Sequence, residues 1–173
     1  LESKEELTGK YGTKASTLPP NPEPFVSEGT LAISKTRQDH AVYAGMIEST
    51  DDSVGRVLDT LDELGIAEET AVVLVSDNGG LSTLPPGRTN MPTSTLPLRA
   101  GKGWLYEGGI RAPLIIMWPG VTGDGDMPSM NDVPTTSMDL YPTLLAIAGL
   151  PPRPEQHVDG FSLVPLLRGG DTL

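Results

Sequence analysis

An aspartate and an asparagine stand side by side at Asp77-Asn78, and two glycines, Gly79 and Gly80, follow at once. A carboxylate next to an amide carbonyl offers two hard oxygen donors. Hard divalent cations such as Ca2+ or Mg2+ bind such donors. The glycines let the backbone turn away and leave room above the pair. The same four residues also suit a strand-ending turn, because Asp, Asn and Gly are common turn formers. Further along, Lys102 lies between Gly101 and Gly103. A glycine-flanked lysine brings a compact ammonium close to an anion, although most loop lysines are simply solvated. Glu107 and Arg111 can pair with each other or with backbone. Arg88 can face a ligand or water.

The elements that must position these residues are legible from periodicity. Between Thr36 and Gly65 the residues Tyr43, Met46, Ile47, Thr50, Val54, Val57, Leu58, Leu61 and Leu64 recur at steps of three and four. That spacing predicts one face of a helix, with Gly65 as its C-terminal cap. Asp51, Asp52, Asp59, Asp62 and Glu63 fall mostly on the opposite, solvated face. After a short turn, Ala71 to Val75 is an unbroken apolar run rich in valine, which predicts a strand covered on both faces. Asp77 and Asn78 then stand beyond the carboxyl end of that strand, where ligands sit in open α/β sheets. Residues 79–109 read as a long loop, functional or disordered. Pro113 to Trp118 reads as a second buried strand, 121–131 as a polar turn region, and Thr136 to Ala148 as a second helix. That helix is capped by Thr136 or Ser137 and ended by Gly149. Residues 1–35 are polar and proline-rich, with PPNPEP at Pro19 to Pro24, and read as an extended arm.

Composition narrows the function. A chain of 173 residues is long enough for one domain with a core. Its net charge of −11 and pI near 4.4 argue against nucleic acid and acidic membranes as partners. There is no cysteine, so no disulfide, thiolate nucleophile or cysteine-based zinc site. No apolar run approaches a membrane span and no signal-peptide pattern is present. The opening LESKEELTGKYG reads like the middle of something larger, and there is no internal repeat.

Four blocks together, DHAVYAGMIESTDDSVGRVLDTLDELGI, VVLVSDNGG, GKGWLYEGGIRAPLIIMWPG and DLYPTLLAIAG, closely resemble the sulfatase family of the alkaline-phosphatase-like superfamily. The resemblance spans about Arg37 to Gly169, and four linked blocks are far more specific than one motif. It implies an α/β fold, part of an alkaline-phosphatase-like sandwich with a mainly parallel sheet flanked by helices. It implies that 36–173 is the C-terminal portion of a catalytic domain, preceded by the 1–35 arm. In that family a Cys or Ser within C/S-x-P-x-R becomes formylglycine, whose hydrate attacks sulfur beside a divalent cation. Carried over residue by residue, Asp77 and Asn78 become metal ligands for Ca2+, with Mg2+ as the alternative. Lys102 becomes a catalytic residue that binds the sulfate. The substrate implied is a sulfated small molecule or carbohydrate, and many members are exported, which implies a periplasmic or secreted location.

The departures are equally definite. No C/S-x-P-x-R motif occurs here, and the family's paired N-terminal aspartates, early lysine and histidines are absent. Asp51-Asp52 lies mid-helix and reads as a solvated face. His40, at the start of the same helix, reads as a surface or helix-packing residue. His157 lies in the C-terminal loop without an evident partner. The isolated chain is therefore expected to be inactive, to bind metal weakly, and to self-associate through apolar surface. Two other classes stay open: a phosphate or phosphonate ester hydrolase of the same superfamily, and a non-catalytic binding or vestigial module. Lys102 with the Glu-Gly-Gly-x-Arg block favours the sulfatase.

Overall fold

The computed structural model describes residues 1–123, 130–156 and 159–173, so His157 lies outside the described residues. Helix α1 spans Glu5–Ser16, and strands β1 (Phe25–Ser27) and β2 (Ile33–Lys35) follow. The long helix α2 runs Ala41–Glu63 and a single 3-10 turn, Ala67–Glu69, leads into β3 (Val72–Val75). Beyond it come β4 (Thr83–Leu84), the one-turn helix α3 (Glu107–Ile110) and β5 (Leu114–Met117). A second 3-10 turn, Ser137–Asp139, opens α4 (Leu140–Ile147), and α5 (Val164–Leu167) closes the chain.

The expected helix is α2, and it stops where glycine makes stopping easy. Gly65 takes φ +67° and its N–H reaches the Asp62 carbonyl, while the Ile66 N–H reaches Leu61. This is the left-handed cap that satisfies terminal carbonyls. Gly149, also at φ +67°, ends α4 the same way, with the Leu150 N–H on the Leu145 carbonyl. At the start of that helix, Thr136 and Asp139 form a reciprocal capping box.

Two expectations about the N-terminal region and the sheets need correction. The stretch read as an extended arm contains a helix over Glu5–Ser16 and a β-hairpin, leaving only the proline-rich link irregular. The helix forms because α2 offers it a seat: a Cβ on the buried Gly45 would strike Ser3 and Leu7. Lys10 then reaches across to Glu48 at 2.7 Å. The three-stranded sheet, in the order β1-β2-β4, is antiparallel throughout. Strands β3 and β5 form a separate two-stranded sheet. These two strands are not covered on both faces within this chain. Leu74, Val75, Ile115 and Met117 keep 43, 47, 59 and 37 % of their surface exposed.

The chain divides into two compact units, Leu1–Thr60 with Leu74–Leu114, and Leu61–Val73 with Ile115–Leu173. The first has a core in which hydroxyl side chains are as common as apolar ones, Leu7 and Pro92 being buried there too. Ser34, Ser82, Thr83, Thr93 and Ser94 are buried with Ala32, Met91 and Ala100. Among the described residues no buried side-chain nitrogen or oxygen lacks a hydrogen-bond partner, as burial of polar groups requires. The second unit is organised around buried Asp139. Its Oδ2 accepts the Thr136 N–H at 2.7 Å and its Oδ1 the Phe161 N–H at 2.8 Å. Thr143 accepts the Leu163 N–H at 2.8 Å, tying α4 to the segment entering α5.

Candidate functional site

Strand β3 ends at Val75, and the chain turns at Ser76 to Gly80. Ser76 Oγ donates to the Asn78 carbonyl at 2.9 Å, which folds the turn back on itself. This presents Asp77 exposed and Asn78 half-buried. The turn residues are then locked to a second segment, Arg99 to Ile110. The Gly79 N–H donates to the Gly109 carbonyl at 2.9 Å. The Lys102 N–H donates to the Gly80 carbonyl at 2.9 Å. The Gly108 N–H closes the loop on itself by donating to Arg99 at 2.8 Å.

These contacts are main chain against main chain, and they explain the glycines. A Cβ on Gly79 would collide with the Gly108 carbonyl, and one on Gly108 with the Arg99 and Ala100 carbonyls. One on Gly109 would strike the Trp104 carbonyl, and one on Gly101 the Gly80 carbonyl and Ser82. The glycines are there for close approach; Gly79, Gly101, Gly108 and Gly109 need no left-handed backbone. The three residues singled out for chemistry, Asp77, Asn78 and Lys102, therefore belong to one backbone-locked junction. The ion pairs found among the described residues involve neither Asp77 nor Lys102. Both side chains are exposed.

As a cation site the junction is half a site. Asp77 and Asn78 supply hard oxygens, which fits Ca2+ or Mg2+, but such ions need six or more ligands. Among the described residues no cluster of three or more histidine, aspartate or glutamate side chains is placed to hold a metal. A cation held here would need ligands beyond Asp77 and Asn78.

The other candidates resolve into structural roles. His40 is an N-cap: its Nδ1 accepts the Tyr43 N–H at 3.3 Å at the start of α2. Asp51 and Asp52 are exposed on α2. Glu107 and Arg111 pair at 3.7 Å on the surface. Arg88 is exposed in a turn, its N–H on the Pro85 carbonyl. Asp39, beside the cap, sits between Lys35 at 2.6 Å and Arg37 at 3.2 Å. Burial, the largest single influence, would raise its pKa, but the bonds and charges of the two cations outweigh it. The carboxyl is held below its ordinary value.

One participant was not legible in the sequence. Glu28, in the β1–β2 turn, accepts the Ala100 N–H at 3.1 Å and the Ser34 hydroxyl at 2.9 Å through Oε1. Its Oε2 lies 3.5 Å from Arg99, whose guanidinium stacks 3.7 Å over the Tyr106 ring. With Trp104 and Leu31 these residues line a cavity of about 210 Å3. No local signal marks Glu28, which lies 72 positions from its partner Ala100.

The family model described as Sulfatase matches residues 1–150. A sulfatase from Formosa agariphila is 42 % identical over 142 residues, covering 76 % of this chain and 24 % of that protein. Steryl-sulfatase of Mus musculus is 40 % identical over 134 residues, covering 77 % and 21 %. The crystal structure of Ps i-CgsB superposes with a TM-score of 0.64 at 28 % identity, over 96 % of this chain and 30 % of that one. The same protein in complex with k-i-k-neocarrahexaose gives 0.61 at 31 % identity, over 79 % and 28 %. The chain thus spans a quarter or less of the length of the two relatives by sequence.

Proposed function

The chain belongs to the sulfatase family, and from that premise we propose that the protein carrying it hydrolyses sulfate esters, with Lys102 on the sulfuryl group and Asp77 and Asn78 on a divalent cation. The observation that carries this reading is the backbone lock. It ties the turn that carries Asp77 and Asn78 to the loop that carries Lys102, whose ammonium is in no ion pair found among the described residues, and this supports the reading. In sulfuryl transfer the substrate oxygens carry negative charge, which an ammonium beside them stabilises. Lys102 has its peptide N–H fixed on Gly80 while its side chain stays in solvent. Asp77 and Asn78 would hold Ca2+, or Mg2+ as the alternative, which when bound supplies further charge stabilisation at the same oxygens.

The nucleophile is assigned to formylglycine elsewhere in the protein, since these residues contain neither cysteine nor a Ser-x-Pro-x-Arg sequence. The isolated 173-residue chain is accordingly read as inactive. The exposed Leu74, Val75, Ile115 and Met117 fit strands that other parts of a larger domain cover. A sulfated small molecule or carbohydrate is the substrate class. Both arms have support, since one relative is a steryl-sulfatase and one structural neighbour holds k-i-k-neocarrahexaose.

The test uses the full-length gene product and an aryl sulfate, with free sulfate measured against time. Lys102→Ala is expected to lower kcat/KM by about a hundredfold or more, the loss typical of one preorganised charge-stabilising donor. Unchanged turnover in Lys102→Ala, or hydrolysis of the matching phosphate ester at an equal or higher kcat/KM, defeats the reading.

A further inference from the structure

Ala100 is the one described non-glycine residue with a positive φ, +58°, and it is buried at 1 % exposure. The left-handed region is unfavourable for a residue with a Cβ and persists only when surroundings enforce it. The enforcing groups are on both sides of this one residue. Its N–H goes to Glu28 Oε1 at 3.1 Å. Its carbonyl accepts from Thr95 Oγ1 at 2.5 Å and lies 3.1 Å from Ser82 Oγ.

Counting protons gives the network a direction. A carboxylate only accepts, so Ser34 must spend its proton on Glu28. Thr83 must then donate to Ser34, 2.6 Å away. A carbonyl also only accepts, so Thr95 donates to Ala100. Ser82, with a single proton, lies within reach of Thr95 at 2.7 Å, the Ala100 carbonyl at 3.1 Å and Thr83 at 3.2 Å. The hydroxyl network thus ends on the Glu28 carboxylate at one side and on the Ala100 carbonyl at the other, and the Ala100 N–H joins the two ends. Lys102 follows two residues later and is itself tied to Gly80.

We propose that Glu28 is the positioning residue for Lys102: its carboxylate holds Ala100 left-handed and so fixes where the Lys102 loop starts. The functional sense of this rests on the reading of Lys102 as the sulfate-binding residue. The clamp itself does not, and it has its own readout.

That readout is amide hydrogen exchange in the full-length protein, resolved to single residues by mass spectrometry, as wild type, Glu28→Ala and Glu28→Gln. Glu28→Ala is expected to speed exchange at Lys102 about tenfold or more, the scale of losing a hydrogen bond to a charged acceptor. The Gly65 and Leu150 amides, bonded to Asp62 and Leu145 in the other unit, stay as they were. Glu28→Gln keeps an acceptor oxygen for Ala100 and Ser34 and restores protection at Lys102. Unchanged exchange at Lys102 in Glu28→Ala overturns the proposal, as does a uniform rise that includes Leu150, or no rescue by Gln. In the full-length protein a double-mutant cycle supplies the functional arm. Glu28→Ala lowers kcat/KM for an aryl sulfate with Lys102 present and has no further effect in Lys102→Ala. Equal losses in both backgrounds overturn the positioning role. A wild-type protein without sulfatase turnover defeats the sulfatase reading instead, and the exchange result then decides the clamp alone.

Discussion

Gly79→Ala adds one methyl group at the tightest point of the lock. Its Cβ would meet the Gly108 carbonyl at far less than contact distance, with the Gly109 Cα just behind. Both obstacles are main chain, so neither can rotate away, and one segment must shift. Overpacking of this kind costs about 1–3 kcal/mol. The shift also stretches the Gly79 N–H bond to Gly109, worth about 1 kcal/mol net. The expected loss is therefore about 2–4 kcal/mol, a large part of the roughly 5–15 kcal/mol a domain has. Urea unfolding followed by fluorescence reads it directly, because Trp104 lies in the locked segment. With a slope of about 1–3 kcal/mol per molar, the midpoint should fall by about 1 M or more. The control is the same substitution where nothing is in the way. Gly55 lies within α2 with no atom within 4 Å of an added Cβ. Gly55→Ala should raise stability by about 0.5–1 kcal/mol, because alanine has less unfolded-state freedom to lose. A Gly79→Ala protein within about 0.5 kcal/mol of wild type, or with the same sign of change as Gly55→Ala, would refute the steric account.

Asp39 should matter in acid. Its folded pKa is below the ordinary 3.8, so its contribution is complete above about that pH and is lost as pH falls through the lower folded value. Asp39→Asn should flatten the fall in stability below pH 3.8, measured as unfolding midpoint against pH; an unchanged acid limb contradicts the ion-pair account. Asp139→Ala leaves the Thr136 and Phe161 N–H groups without their acceptor. It should cost about 3–6 kcal/mol, from two bonds to a charged group, with thermal unfolding as the check and a loss under 1 kcal/mol as the refutation. The isolated chain should elute above its 18.3 kDa mass at high concentration, because Leu74, Val75, Ile115 and Met117 are open. A concentration-independent monomer by light scattering would count against that.

What could be read from the sequence was what is local. The α2 periodicity, the glycine caps at Gly65 and Gly149, and the Thr136 cap all act within a few residues, so their signals sit in the string itself. The junction was half legible. Asp77, Asn78 and Lys102 could be named from motif chemistry, but the glycines around them were read as flexibility and room. Gly79 and Gly101 are contact residues, facing the Gly108 and Gly80 carbonyls, and Gly80 faces the Thr93 methyl, whereas Gly103 takes φ +89° with open space around it. Helix α1 was missed because Gly9 and Gly12 weaken it and only Leu7 is buried. Its reason to exist lies on α2, at Gly45. Glu28 was missed for the same cause, since its partner Ala100 is 72 positions away. Strand coverage was misjudged because an apolar run reports what a strand is built to face, and in this chain β3 and β5 lack that cover.

The bonds that tie the Lys102 loop to the Asp77 turn are peptide groups without net charge, and the Glu28 carboxylate placed behind them is largely buried, where salt screens little. Added salt screens attraction between an exposed ammonium and an anion within about a Debye length, roughly 10 Å at 0.1 M. It leaves neutral main-chain hydrogen bonds nearly as they were. Ionic strength therefore separates two properties that mutation confounds. Raising it should weaken the grip on an anionic group while Lys102 stays where the backbone put it.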